Sequence, residues 1–132
     1  MIVLDASAVI ALLLGAPGAR LVRQRIGSAD QTLHAPHLLD VEVAQVLRRY
    51  SLFEGLSAER GDAALQDLSA LDIQRYPHDG MLPRIWELRA NMTAYDAAYV
   101  ALAEALAAPL LTLDARLSRA SGHAASILLL DA

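Results

Sequence analysis

Four acids, Asp5, Glu42, Asp96 and Asp114, occupy positions where a carboxylate has chemistry to offer. Asp5 and Asp114 each end a short apolar run, Ile2-Val3-Leu4 and Leu110-Leu111-Thr112-Leu113, and each stands just before the start of a helix. In an open parallel α/β sheet, ligands collect outside the carboxyl ends of the strands, which is where these two acids fall. Glu42 has Leu38, Leu39 and Val46 at i−4, i−3 and i+4, so it borders the buried stripe of its helix. Asp96 has Tyr99, Val100 and Ala103 at i+3, i+4 and i+7 and borders a core face in the same way.

Singly, each acid has an ordinary explanation. Asp5 and Asp114 fit as caps of the helices that follow them, and Thr93-x-x-Asp96 fits a capping box. Glu42 is mid-helix and has no capping role; its ordinary explanation is an ion pair with Arg48 or Arg49. Jointly they say more. Four converging carboxylates repel one another and destabilise the fold unless cations neutralise them. Carboxylate oxygens without cysteine or clustered histidine select hard cations, Mg²⁺ or Mn²⁺, which keep several waters and are commonly shared with substrate phosphates. Such a site polarises a phosphodiester and acidifies an attacking water, with no protein nucleophile. Ser7 and Thr112, two residues from Asp5 and Asp114, fit either the orientation of water or phosphate or a structural hydrogen bond.

The elements that must position these acids are legible as alternating runs. Strand-like segments are expected at residues 2–5, 32–35, 73–76, 110–113 and 127–130. Between them the spacing predicts helices from Ser7 to Leu14, stopped by Gly15, from Pro17 to about Gly27, and from His37 to about Phe53 with an apolar stripe of Leu39, Val43, Val46, Leu47 and Tyr50. Further helices are expected after the cap Ser57 with Leu65, Leu68 and Leu71 inward, over Gly80 to Ala90, over Thr93 to Ala107, and over Ala115 to Ala120. Short, continuously apolar strands alternating with helices imply an α/β fold with a parallel sheet covered on both faces. A chain of 132 residues, 55% hydrophobic, is enough for one core, so a single domain over 1–132 is expected.

Composition removes several chemistries. There is no cysteine, which excludes thiolate catalysis and Cys-based metal sites and agrees with a reducing cytoplasm. All eleven basic residues are arginine, so a Walker A loop and Schiff-base catalysis are excluded. The first apolar run, Ala8 to Leu14, is too short to span a bilayer and no basic leader precedes it, so a soluble, cytoplasmic protein with no membrane partner is expected. The net charge of −4 argues against a nucleic-acid ligand unless some of the acids are neutralised.

Taken together, Leu4-Asp5-Ala6-Ser7-Ala8, Glu42 on the long helix, Thr93-Ala94-Tyr95-Asp96-Ala97-Ala98-Tyr99 and Leu111-Thr112-Leu113-Asp114-Ala115-Arg116-Leu117 resemble the PIN-domain ribonucleases, specifically the VapC toxins of VapBC toxin–antitoxin pairs. The resemblance runs along essentially the whole chain. It implies a three-layer α/β/α arrangement on a sheet of about five strands, Mg²⁺- or Mn²⁺-dependent endoribonuclease activity, a homodimer, and a VapB-like antitoxin that occludes the active site. Asp5, Glu42, Asp96 and Asp114 match the family's acidic set. One departure is visible: some PIN nucleases carry a further acid soon after the last of these, whereas Arg116 and Arg119 follow here, so one tightly held ion is expected, with the other arriving with substrate.

The resemblance also meets the charge objection, since four of the fifteen acids would bind cations. Arg20, Arg23, Arg25, Arg48, Arg49, Arg116 and Arg119 are then candidates for RNA phosphates, each with solvated surface charge as its ordinary explanation. Two readings compete with a metal nuclease. Phosphoryl transfer through an aspartyl nucleophile at Asp5 lacks its usual second acid, Ser7 standing there instead. A non-catalytic RNA- or protein-binding module would keep the fold without needing metal.

Overall fold

The computed structural model describes residues 1–131. Five strands, β1 (Ile2–Leu4), β2 (Leu33–Pro36), β3 (Ile73–Tyr76), β4 (Leu110–Thr112) and β5 (Ile127–Leu129), form one sheet in the order β3-β2-β1-β4-β5. Every pairing is parallel, with Val3 opposite both His34 and Leu110. Seven helices complete the described residues: α1 (Ala6–Leu14), α2 (Ala19–Ile26), α3 (Leu38–Phe53), α4 (Ala58–Ala70), α5 (Leu82–Glu87), α6 (Ala94–Leu106) and α7 (Ala115–Ser118). None is long and apolar enough to cross a membrane by itself.

The strand order explains the layering. The chain steps outward from β1 to β2 to β3, then returns past β1 to lay down β4 and β5. Parallel crossovers are right-handed, so reversing the direction of travel moves the helices to the opposite face. α1 packs on α2, α3 and α4, while α6 packs on α5 and on β1, β2 and β4. The result is the three-layer α/β/α arrangement expected from the sequence. Val3, Leu4, Leu110 and Leu111 are fully buried, as strands sealed on both faces require.

Local signals account for most boundaries. Gly15 takes the left-handed conformation (φ 61°) and its N–H closes α1 onto Ala11 O, a geometry that a residue with a Cβ resists. The Ser57 hydroxyl caps α4 by accepting from Arg60 N, and Thr93 caps α6 by accepting from Asp96 N.

Two expectations need correction. Leu65 does not face inward: α4 buries Ala64 and Leu68, four residues apart on one stripe, and Leu65, about 100° further round, is 41% exposed. The helix expected over Gly80 to Ala90 is a 3₁₀ turn (Asp79–Met81) followed by the short α5. Beyond Glu87 the backbone tightens, with Arg89 N donating to Trp86 O and Asn91 N to Leu88 O, and this turn buries Leu88.

Candidate active site

β1 and β4 are neighbours in the sheet, yet the chain leaves them in opposite directions, so the topological switch point lies between them. Helices diverge to the two faces there and open a crevice at the carboxyl ends of the strands. Asp5 follows β1 directly and Asp114 lies two residues beyond β4. The placement expected from their positions after apolar runs is what the fold produces.

Asp5 is held on both carboxylate oxygens. Oδ1 accepts from Ser7 Oγ (2.7 Å) and from Ala8 N (3.0 Å), and Oδ2 accepts from Thr112 Oγ1. Ser7 Oγ also accepts from Leu113 N, and Thr112 Oγ1 accepts from Asp114 N. Ser7 and Thr112 thus serve Asp5 structurally, stitching the end of β1 to the end of β4. The capping explanation is also correct in itself: Asp5 caps α1, and Asp114 caps α7 by accepting from Arg116 N at 2.9 Å. Capping and a place in the crevice coexist, because the caps lie at the strand ends. With both oxygens engaged, Asp5 is poorly disposed to act as a free nucleophile.

Glu42 makes no ion pair with either arginine suggested for it. Arg49 instead lies over the Tyr50 ring, 5.7 Å from its centroid. The sole hydrogen-bond donor to Glu42 among the described residues is the Tyr99 hydroxyl, which reaches Oε1 at 2.5 Å. Tyr99 is buried on α6, three residues after Asp96, and was not legible as a site residue from its type. The available signal was that spacing, one turn beyond an acid on the same face.

The electrostatics show a crowded acidic site. Burial pushes the Asp5 carboxyl above the usual carboxylate range, against the pull of its Thr112, Ser7 and Ala8 donors, and the charge of Asp114 pushes the same way. Burial likewise raises Glu42, with Tyr99 opposing and Asp96 and Asp5 adding to the rise. Asp96 is raised by burial and by Asp114, and lowered by Arg116. Each acid therefore feels at least one other. The nearby counter-charge is Arg116, whose Nη2 lies 3.5 Å from Asp96 Oδ2 and 3.2 Å from Asp114 Oδ2.

These donors fit a hard divalent cation by type: carboxylate oxygens with too little positive charge between them. Among the described residues no three carboxylates or imidazoles are close enough to grip one ion together. Mg²⁺ does not require that, since it retains waters and uses one or two carboxylates directly. Two clefts flank the acids. One runs past Ser7, Arg49, Tyr50 and Leu113, and the other past Thr93, Asp96, Arg116 and Arg119. Arg20, Arg23 and Arg25 are exposed on α2, and Arg48 is exposed on α3.

Comparison with known proteins gives a consistent result. The PIN domain family model matches residues 2–122. A VapC ribonuclease of Mycobacterium bovis is 52% identical over 118 residues, covering 89% of each chain. Ribonuclease VapC1 of Mycobacterium tuberculosis is 47% identical over 121 residues, covering 91% of this chain and 90% of that one. In a solved complex, VapBC2 of Rickettsia felis bound to promoter DNA, a chain superposes with a TM-score of 0.71 at 13% identity, covering 99% of this chain and all of that one, a likeness of fold. The family model and these relatives agree, and the chain belongs to the PIN domain family, among its VapC ribonucleases.

Proposed function

We propose that this chain, as a single domain, is a divalent-metal-dependent endoribonuclease and the toxin of a toxin–antitoxin pair, with Asp5, Glu42, Asp96 and Asp114 forming the acidic site that takes the cation, one or two of them directly and the others through its waters. The observation that carries this reading is the placement of these acids around the switch point, with Asp5 bound by Thr112 from the neighbouring strand, Glu42 by Tyr99 from the opposite layer, and Asp96 and Asp114 sharing Arg116. The VapC relatives, similar over nine-tenths of the chain, support the choice of RNA as substrate.

A bound Mg²⁺ or Mn²⁺ ion supplies Lewis-acid polarisation of the phosphodiester and a water of lowered pKa. The protein's own contribution is preorganisation. Asp5 is fixed by three donors from both sides of the switch point, so its charge is aimed before substrate arrives. Arg116 and Arg119, in the cleft beside Asp96, and Arg49, in the cleft beside Ser7, bring positive charge to either side of the acids where an RNA backbone passes. Arg20, Arg23, Arg25 and Arg48 extend that surface.

The protein acts in the cytoplasm as a homodimer, and its partner is a VapB-like antitoxin that covers the crevice. The exposed Leu52, Phe53 and Trp86 side chains offer apolar area for such contacts. The test is incubation of purified protein with total RNA, with and without Mg²⁺, beside Asp96→Asn, followed by mapping of new RNA ends. Discrete new ends that need both the metal and Asp96 are expected. Cleavage that survives Asp96→Asn overturns the assignment.

A further inference from the structure

Resting on the cation site proposed above, we infer that Tyr99 is a positioning residue for Glu42, and that its hydroxyl sets the divalent-cation affinity of the crevice without touching the ion. α3 and α6 lie in different layers of the fold, and Glu42 and Asp96 are the acids those helices contribute. Tyr99 stands one turn after Asp96 on α6 and donates to Glu42 Oε1 on α3. It therefore joins the two layers at the place where their acids face each other.

The bond constrains Glu42 because nothing else does. Glu42 is half-buried mid-helix, with no other donor among the described residues and no arginine partner. Its side chain has three rotatable bonds, and without an anchor its charge turns away from Asp5 and Asp96 toward solvent. Tyr99 is suited to prevent this. Its ring is 2% exposed between the buried Ala98 and Val100, so the hydroxyl is delivered from a fixed base with little rotamer freedom to lose. A neutral donor also suits the position: a lysine or arginine there would compete with the cation for the carboxylates, whereas a phenol orients Glu42 and leaves its charge for the ion. Partners that orient ligands from behind typically account for 10- to 100-fold in metal affinity.

The experiment measures Mn²⁺ binding directly, by the paramagnetic resonance of free Mn²⁺, in wild type, Tyr99→Phe, Glu42→Gln and the double variant, with thermal melts alongside. Tyr99→Phe is expected to melt within a few degrees of wild type and to bind Mn²⁺ about tenfold more weakly. In the Glu42→Gln background it is expected to add no further loss, since its effect runs through that carboxylate. Wild-type affinity in Tyr99→Phe overturns the inference, as does an equal loss with and without Glu42, which would mark a general packing effect. Wild type that binds no Mn²⁺ overturns the cation site itself and this inference with it. If Tyr99→Phe does not fold, 4-fluorophenylalanine at position 99 fills the hydroxyl's space without a donor; the same loss is expected, and unchanged affinity contradicts the role.

Discussion

The Thr112 hydroxyl at the end of β4 donates to Asp5 Oδ2 at the end of β1, in a site where Thr112 is fully buried and Asp5 is 7% exposed. One hydrogen bond thus fixes the acid of the first strand from the neighbouring strand, across the point where the fold changes direction. Thr112→Val keeps the shape and removes the donor, leaving a buried carboxylate oxygen and Asp114 N unpartnered. Such groups typically cost about 1–3 kcal/mol each. A lower melting temperature and slower RNA cleavage are expected, with both restored by Thr112→Ser. Denaturant melts and cleavage rates of the two variants check this.

Asp5→Asn should separate stability from activity. A carboxyl raised by burial is bound to its proton more tightly in the folded chain than in the unfolded one, so its contribution to stability falls as pH rises through the window between the two pKa values. Above that window the ionised form costs the fold stability. In the absence of divalent metal, the melting temperature of Asp5→Asn relative to wild type is therefore expected to rise as pH is taken up through that window, while the variant fails to cleave RNA. The stabilisation that Mn²⁺ gives to wild type is expected to be lost. Melts across a pH series with Mn²⁺ and with chelator read the two stability outcomes, and an RNA cleavage assay reads the third.

Away from the site, Glu104 ties α6 to α5 and to the segment before β5, accepting from Arg84 Nε and Nη2 and from Ala124 N. The Arg84 guanidinium lowers the Glu104 carboxyl below its usual range. For an acid lowered in the folded state, the stabilisation is present above the unfolded pKa and is lost as pH falls through the folded one. Glu104→Gln is expected to lower the melting temperature at pH 7. The gap to wild type closes as the pH is taken down through the carboxylate range, which a series of melts follows.

Arg116 neutralises Asp96 and Asp114 in the free protein and lies in the cleft assigned to RNA. Arg116→Ala is expected to bind Mn²⁺ more tightly, because a competing cation is gone, and to bind RNA more weakly. Its salt dependence of RNA binding should be shallower by about one phosphate contact. Binding of RNA to the Asp5→Asn background at several salt concentrations, with and without Arg116, measures the change in slope.

Much of this architecture was legible in the sequence because its signals are local. Leu110-Leu111-Thr112 reads as a buried strand by itself, and Ser57, Thr93 and Gly15 mark helix ends through bonds within a few residues. Asp5 and Asp114 were placed by the general rule for strand ends. What the sequence could not show was side-chain partnership over long separations. Glu42 was matched with nearby arginines, but its partner, Tyr99, is 57 residues away and in another layer. The role of Thr112 stayed open for the same reason, since its bond to Asp5 depends on β1 lying beside β4. Leu65 shows a further limit: a leucine at helical spacing does not reveal which of two adjacent stripes is buried when small Ala64 fits the tighter contact.

The central claim is that the acidic crevice binds a divalent cation and uses it to cut RNA. The most direct measurement is a Mn²⁺ titration that follows occupancy and cleavage of one RNA together, in wild type and in Asp5→Asn. Cleavage that rises with occupancy, stops on addition of excess chelator and is lost together with Mn²⁺ binding in Asp5→Asn is the expected result. Cleavage that persists in chelator, or that Asp5→Asn retains, would contradict it.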